Sequence, residues 1–502
     1  MLFNSVQFLV FFPIVCLLYF PLPQALKKPW LLVCSYYFYM CWDARFALLI
    51  AVSTLSTWGC GFLIERSKSA KTRKWALAAN LVLNLGILFL FKYFDFFSGS
   101  IASLLGGIGI TYRPLLLGWT LPVGISFYTF QALGYSIDVY RGDIPHEKDL
   151  ISYALFVSFF PQLVAGPIER ASEFLPQLHE RKYFDERRVG EGVCRMVWGY
   201  FKKIVIADGL AAFVDVVYAA PQLFSAQQLV LATVMFAVQI YCDFSAYSDI
   251  AQGAARVLGF TLMRNFDRPY YASNITDFWR RWHISLSGWL RDYLYIPLGG
   301  NRKGRLRKWL NLLITFLVSG LWHGANWTFV IWGGLNGIYQ ILDDLVRPVL
   351  DKVREITHTR RFHPVTGALG TLLTFALVCL SYVFFRAETT ADAFGVLRTV
   401  FAGTGWTDGA VWRGALEGLG FFGDLPHETL SLGNWVVNSG LPLAGCVGLL
   451  ALADAFDRPE HSLLDGIGRC WFPVRWLFCA ALLILMLLFG SFAPSGFYYF
   501  QF

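Results

Sequence analysis

Two of the eight histidines stand where an imidazole is positioned for chemistry. His323 lies in LITFLVSGLWHGANWTFVIWGG, with one apolar run before it from Leu312 and another after it to Ile341. A helix rises about 1.5 Å per residue, which puts His323 roughly 20 Å beyond the basic cluster that ends at Lys308. An ionisable side chain at such depth is costly and marks a functional site by default. Gly320, Gly324 and Ala325 flank it, so backbone and substrate can approach closely. The competing reading is a histidine that hydrogen-bonds a neighbouring helix.

His283 lies in NITDFWRRWHISLSGWLRDYLYIPLGGNRKG. Read as one helix, Trp279, Trp282, Trp289 and Tyr293 fall near one face. Arg280, His283, Ser287 and Arg291 make a second, polar face. Such a helix suits a membrane surface or a tunnel wall for an anionic acyl donor. Asn274 to Asp277 is a favourable helix start. A third cluster, QIYCDFSAYSDIAQG, carries Asp243, Ser245, Tyr247, Ser248 and Asp249. Two carboxylates after a long apolar run need cations, with Arg256 or Arg280 nearby. A structural ion-pair network and a catalytic role both fit. His146, His179, His358, His363, His427 and His461 sit in polar loops and read as solvated surface residues.

The elements that hold these residues are membrane helices. Hydrophobic residues make up 56% of the chain and charged residues 15%, against about 25% charged in soluble domains. Apolar segments run over 6–21, 29–42, 46–64, 75–95, 115–139, 192–217, 226–256, 309–322, 326–346, 366–386, 436–456 and 473–491. Basic residues gather between them: Lys27 and Lys28; Arg66 to Lys74; Arg302 to Lys308; Arg347 to Arg361. Placing these loops in the cytoplasm satisfies the positive-inside rule and leaves the N-terminus outside. The 387–435 loop then falls outside, with Arg398 and Arg413 against six acidic residues. Residues 150–190 and 260–300 do not fit simple crossings. Irregular backbone at membrane depth is tolerated only inside protein or along a wet cavity, so both predict a cavity open to the cytoplasm.

Several classes are excluded or weakened. The net charge of +8 follows from the cytoplasmic loops, and no arginine-rich stripe or aromatic-basic platform supports nucleic-acid binding. Cys16, Cys34, Cys60, Cys379, Cys446 and Cys479 lie in apolar runs as small hydrophobes. With no CxxC, neither a redox motif nor a zinc site is expected. The GxGxxG at Gly418, Gly420 and Gly423 lacks a strand–helix unit and reads as chance. No G-x-S-x-G, Walker A or H-E-x-x-H occurs. No internal repeat supports an inverted-repeat transporter. The N-terminal apolar stretch lacks a basic n-region and a cleavage site and reads as a retained first helix.

Six stretches resemble the membrane-bound O-acyltransferase family: LPVGISFYTFQALGYSIDVYRGD (121–143), FFPQLVAGPIER (159–170), YFKKIVIADGLA (200–211), YCDFSAYSDIAQG (241–253), DFWRRWHISLSGWLRDYLYIPLGGNRKG (277–304) and SGLWHGANWTFVIWG (319–333). The ending FYYFQF is also typical of it. The likeness is greatest to its bacterial branch, the alginate O-acetyltransferase membrane subunits and their peptidoglycan and cellulose acetylation relatives.

The resemblance implies an all-α polytopic integral membrane protein, with about 11–13 membrane segments including re-entrant helices around a central chamber. It implies one membrane domain over 1–502, a catalytic core within 115–350 and an extracytoplasmic loop at 387–435. The family's catalytic histidine maps onto His323 and its second motif residue onto His283. Arg280, Arg281 and Arg291 would meet donor phosphates. Ser287, Asn326, Asp243 and Tyr247 are further donor or substrate contacts under this reading. The donor would be acetyl-CoA or another acyl thioester, with no metal and no bound cofactor. The acetyl group would pass to an exported polysaccharide through an extracytoplasmic partner of esterase-like fold, at the bacterial inner membrane. D-alanyl transfer to teichoic acid, a transporter or flippase, and a non-catalytic scaffold are the alternatives.

Overall fold

The computed structural model describes residues 1–164, 166–356, 363–403, 441–457, 462–492 and 496–498. Among them the chain forms helices and connecting loops, and no strand. Five helices are long and apolar enough to cross a membrane: Phe46–Arg66, Ala70–Gly107, Ala226–Leu258, Thr366–Arg386 and Phe472–Phe489. Val6–Tyr19 and Pro442–Phe456 are shorter apolar helices. The large apolar side chains that remain exposed, Leu17, Val82, Leu104 and Leu487 among them, make the lipid-facing surface that a membrane protein needs.

Local chemistry sets the helix ends. Ser225 opens Ala226–Leu258 with a capping box to Gln228, and Gly259 closes it at φ +97°, where a β-carbon would be strained. Hydropathy predicts one segment over 115–139, but the helix begins only at Ile125. Residues 111–124 form no regular element, because Pro114, Gly118, Pro122 and Gly124 interrupt an apolar stretch. At Gly124 (φ +74°), a β-carbon would stand 2.6 Å from the Leu163 carbonyl, so only glycine lets these two segments meet.

Both irregular regions fold inward. Residues 150–179 form Leu150–Ser158, one helical turn at Phe160–Leu163, and Ala171–His179, with Phe156, Phe159, Phe160 and Phe174 fully buried. Residues 260–300 do not make a single helix. Ile275–Arg281 and Ile284–Leu290 are separate, and His283 joins them with a left-handed backbone at φ 44°. Of the outer loop expected over 387–435, residues Thr390–Ala402 form a helix capped by Thr389. Residues 404–435, with Arg413, Gly418, Gly420, Gly423 and His427, lie outside the described residues, as do His358 and His461. His146 is buried and bonded to the Tyr135 hydroxyl at 2.8 Å, which corrects its reading as solvated. His179 is exposed beside Glu147.

The C-terminal helices pack on the core through Glu186–Phe201. There the Cys194 and Cys479 sulfurs lie 3.7 Å apart. A disulfide needs about 2.05 Å, so a small shift suffices. Mild oxidation of membranes should yield a linked 194/479 peptide by mass spectrometry, absent in Cys194→Ser. No link under conditions that oxidise exposed Cys470 would contradict this packing.

Candidate active site

The two singled-out histidines meet at the end of one helical hairpin. Gly304–His323 and Trp327–Ile356 run antiparallel and touch through Gly320 and Gly333, where a β-carbon on either would lie 2.2 Å from a backbone oxygen of the other helix. His323 is the last residue of its helix, and Gly324 continues in extended backbone. The glycine at 324 gives room to Phe329, whose ring a β-carbon would strike. The space expected for substrate at Gly320 and Gly324 is therefore filled by the second helix.

His323 is 4% exposed and His283 is 1% exposed. Their ring centres lie 6.3 Å apart. Around His323 stand Trp322 and Trp332, each at 5.0 Å, and Phe385 at 5.4 Å. Phe244 meets His283 edge-on at 4.7 Å. Asn265 holds the turn that follows His283: its carbonyl accepts from Ile284 N at 2.9 Å, and its side-chain oxygen accepts from the Ser285 hydroxyl at 2.6 Å. That contact stabilises a left-handed backbone that a non-glycine residue adopts only at a cost.

A cavity of about 1070 Å³ opens beside them, its charged lining made of Arg141, Arg170, Arg280, Arg291, Lys308 and Arg347 together with Asp138, Asp143, Glu173, Asp292 and Asp344. It reaches Ser285, two residues past His283, and Ser319, one turn before His323. Trp279 and Phe316 line its floor. Trp332 packs on Trp279 at 5.8 Å and on His323 at 5.0 Å, so an aromatic layer separates the cavity from the histidine. His323 itself lines a separate, small cavity of about 60 Å³, together with Lys92, Leu121 to Phe127, Val164 and Trp322.

Most of the large cavity's cations are committed. Arg170 and Arg291 bind Asp292, Lys308 binds Asp344 and Arg347 binds Asp343. Arg141 bonds the Asp292 carbonyl at 3.0 Å. Arg280 is exposed on the cavity wall, and among the described residues it has no ion pair or side-chain hydrogen bond. Ser287 also lines the wall.

The other expected contacts lie elsewhere. Arg281 is not part of the cavity wall and pairs with Asp277 at 3.0 Å. Asn326 caps the turn after His323, donating to the Glu388 carbonyl at 3.0 Å and accepting from Thr328 N. Asp243 pairs with Lys203 at 2.7 Å and accepts from Tyr498 N at 2.8 Å. Tyr247 packs on Phe3 and Phe497. Asp249 pairs with Lys202 at 2.7 Å and Arg195 at 3.3 Å. The cations are thus Lys202, Lys203 and Arg195 instead of Arg256, which binds Glu191, or Arg280. This network ties the Gly496–Tyr498 segment and helix Leu463–Arg469 to the core.

Lys92 is absent from the sequence-based candidates. The signal was there: one lysine inside LVLNLGILFLFKYFDFF, an ionisable group at membrane depth. Asn265 carried no such signal, because its partners lie about 20 residues away in an irregular segment.

A profile of the membrane-bound O-acyltransferase family matches residues 143–384. The chain is 40% identical over 423 residues, 84% of each chain, to the probable alginate O-acetylase AlgI of Pseudomonas putida. It is 36% identical over 434 residues, 79% of each chain, to the peptidoglycan O-acetyltransferase of Helicobacter pylori. To the teichoic acid D-alanyltransferase of Streptococcus thermophilus it is 28% identical over 284 residues, 52% of this chain and 68% of that one. A helical membrane body with two buried histidines beside a charged cavity, together with these likenesses, means that the chain belongs to the membrane-bound O-acyltransferase family and is an acyltransferase.

Proposed function

We propose that this chain transfers an acetyl group from a cytoplasmic thioester, acetyl-CoA or an acyl carrier, toward an exported polysaccharide at the bacterial inner membrane. The observation that carries the reading is the place of His323, buried one turn past Ser319 on the wall of the large cavity and itself lining the small one. Lys308 and Arg347, from two of the basic clusters, line the large cavity, which supports a cytoplasmic opening under the positive-inside rule. Arg280 binds a donor phosphate, since its guanidinium is uncommitted and matches phosphate geometry. The aromatic layer of Trp279, Phe316 and Trp332 excludes water and opens by side-chain rotation as the thioester arm enters.

His323 takes the proton from the acceptor hydroxyl as its oxygen attacks the thioester carbonyl. The C–O bond forms, the C–S bond breaks, and the departing sulfur receives the proton. His283, or a nearby hydroxyl such as Ser287, orients the thioester or stabilises the oxyanion. The acceptor hydroxyl arrives from the outer side and belongs to the polymer or to an extracytoplasmic partner of esterase-like fold. Alginate-like polymers, cellulose and peptidoglycan are the acceptors in view, and the names of the AlgI and Helicobacter relatives support acetyl over D-alanyl transfer.

Membranes that contain the protein, given radiolabelled acetyl-CoA, should pass label to polymer or partner. Arg280→Gln should raise the KM for donor roughly ten-fold with kcat little changed, as expected for one charged hydrogen bond. Folded protein that transfers D-alanine from a carrier but never acetyl would overturn the acetyl reading. An unchanged KM would remove Arg280 from the donor site.

A further inference from the structure

Helix Ala70–Gly107 is largely turned to lipid, yet it carries a lysine near its middle. An ammonium in such a helix is costly unless something specific holds it. At that point the helix widens into a π-turn, Phe89–Tyr93, closed by Phe94 N to the Phe89 carbonyl. Such bulges reorient side chains and gather at functional positions. Here the bulge carries Lys92. Its ammonium donates to the Trp322 carbonyl at 2.7 Å, the His323 carbonyl at 3.2 Å and the Ser126 hydroxyl at 3.4 Å. An ammonium has three donors, and three acceptors meet it.

Two of those acceptors are the last carbonyls of the helix that ends in His323. The last carbonyls of any helix lack intrahelical partners, and Gly324 leaves in extended backbone at φ −162°. Within a membrane such groups need another donor. A cation is the favourable one, because the carbonyl end of a helix carries partial negative charge. Lys92 also lines the small cavity with His323, whereas Arg280 lines the large one.

We propose that Lys92 is a positioning residue for His323, a cross-helix cap that fixes the backbone from which the imidazole projects. This rests on the reading of His323 as the reacting base. With all three N–H groups used, Lys92 itself does not touch the substrate. It holds the end of one hairpin to the helix beside it, as the Trp327 indole does by donating to Ser100 at 3.1 Å.

The test uses the full chain, with Lys92→Met, Lys92→Arg and His323→Ala, assayed with radiolabelled acetyl-CoA per folded molecule. Lys92→Met should lower kcat about 10- to 100-fold, the effect of a misplacement near 1 Å. The KM for donor should stay within about two-fold, since Arg280 lines the other cavity. Lys92→Arg, which keeps the cation, should recover much of the loss. Hydrogen exchange should rise in Lys92→Met over residues 320–327 and not across the whole protein. Wild-type kcat per folded molecule, a rise in KM alone, or unchanged exchange at 320–327 would each overturn the assignment. If His323→Ala remains active, the reading of His323 fails, whereas the exchange measurement still decides whether Lys92 holds that turn.

Discussion

In cells carrying His323→Ala, O-acetylation of the exported polymer should fall by roughly 10²- to 10⁴-fold, the range that a positioned general base supplies. The protein should remain in the membrane at near-normal abundance. The imidazole sits among Trp322, Trp332 and Phe385, and aromatic neighbours of that size limit the collapse that a small void can provoke. Truncation in a packed core costs a few kcal/mol, borne here by a large helical body in which the substituted position is the end of a helix and not its middle. The measurement is polymer O-acetyl content beside quantified membrane protein. Persisting acetylation at normal abundance would remove His323 from the chemistry and favour a structural histidine. A transporter reading would then gain, and transport in liposomes without thioester consumption would be its mark.

The burial of His323 was legible because it follows from its place between two apolar runs. The same holds for the crossing helices, whose hydropathy is a property of contiguous residues. What required the third dimension was pairing. Asp243 and Asp249 needed cations, but Lys202 and Lys203 lie some 40 residues before them on another helix, beyond any spacing rule. The break at His283 was hidden for a related reason. Neither Trp282 nor Ile284 is a helix breaker, and the turn is held by Asn265 from a separate segment. Tertiary contact there overrides an amphipathic pattern that reads well as one helix. The polar face inferred from that pattern was accordingly divided. Arg280, Ser287 and Arg291 reach the cavity wall, while His283 turns into the protein. Lys92 was readable by the rule that found His323, but its partners, two carbonyls some 230 residues away, were not.

The glycines of the hairpin carry the other large expected effect. A methyl added at Gly320 would stand 2.2 Å from the Phe329 carbonyl oxygen, 3.0 Å from its carbon and 3.2 Å from Gly333 Cα. These are backbone atoms and cannot rotate away. Restoring ordinary contact requires the two helices to part by roughly 1 Å, and overpacking of this kind costs about 1–3 kcal/mol or more. Helix association in a membrane relies on such close packing, without a hydrophobic drive to replace it. Gly320 is also one turn before His323, so the same separation moves the imidazole relative to Trp332 on the facing helix. Gly320→Ala should therefore lower folded abundance and reduce acetyl transfer per folded molecule, the latter by about 10²-fold. Gly334→Ala is the matched comparison. Its added carbon would meet only the end of the Leu317 side chain at 3.5 Å, ordinary contact, and both abundance and transfer should stay near wild type. If Gly320→Ala behaves like Gly334→Ala, the helices are not held at the spacing seen here, and the position of His323 does not depend on their glycine contact. If it loses abundance while the remaining molecules keep full activity, the hairpin supports the fold without setting the geometry of the base.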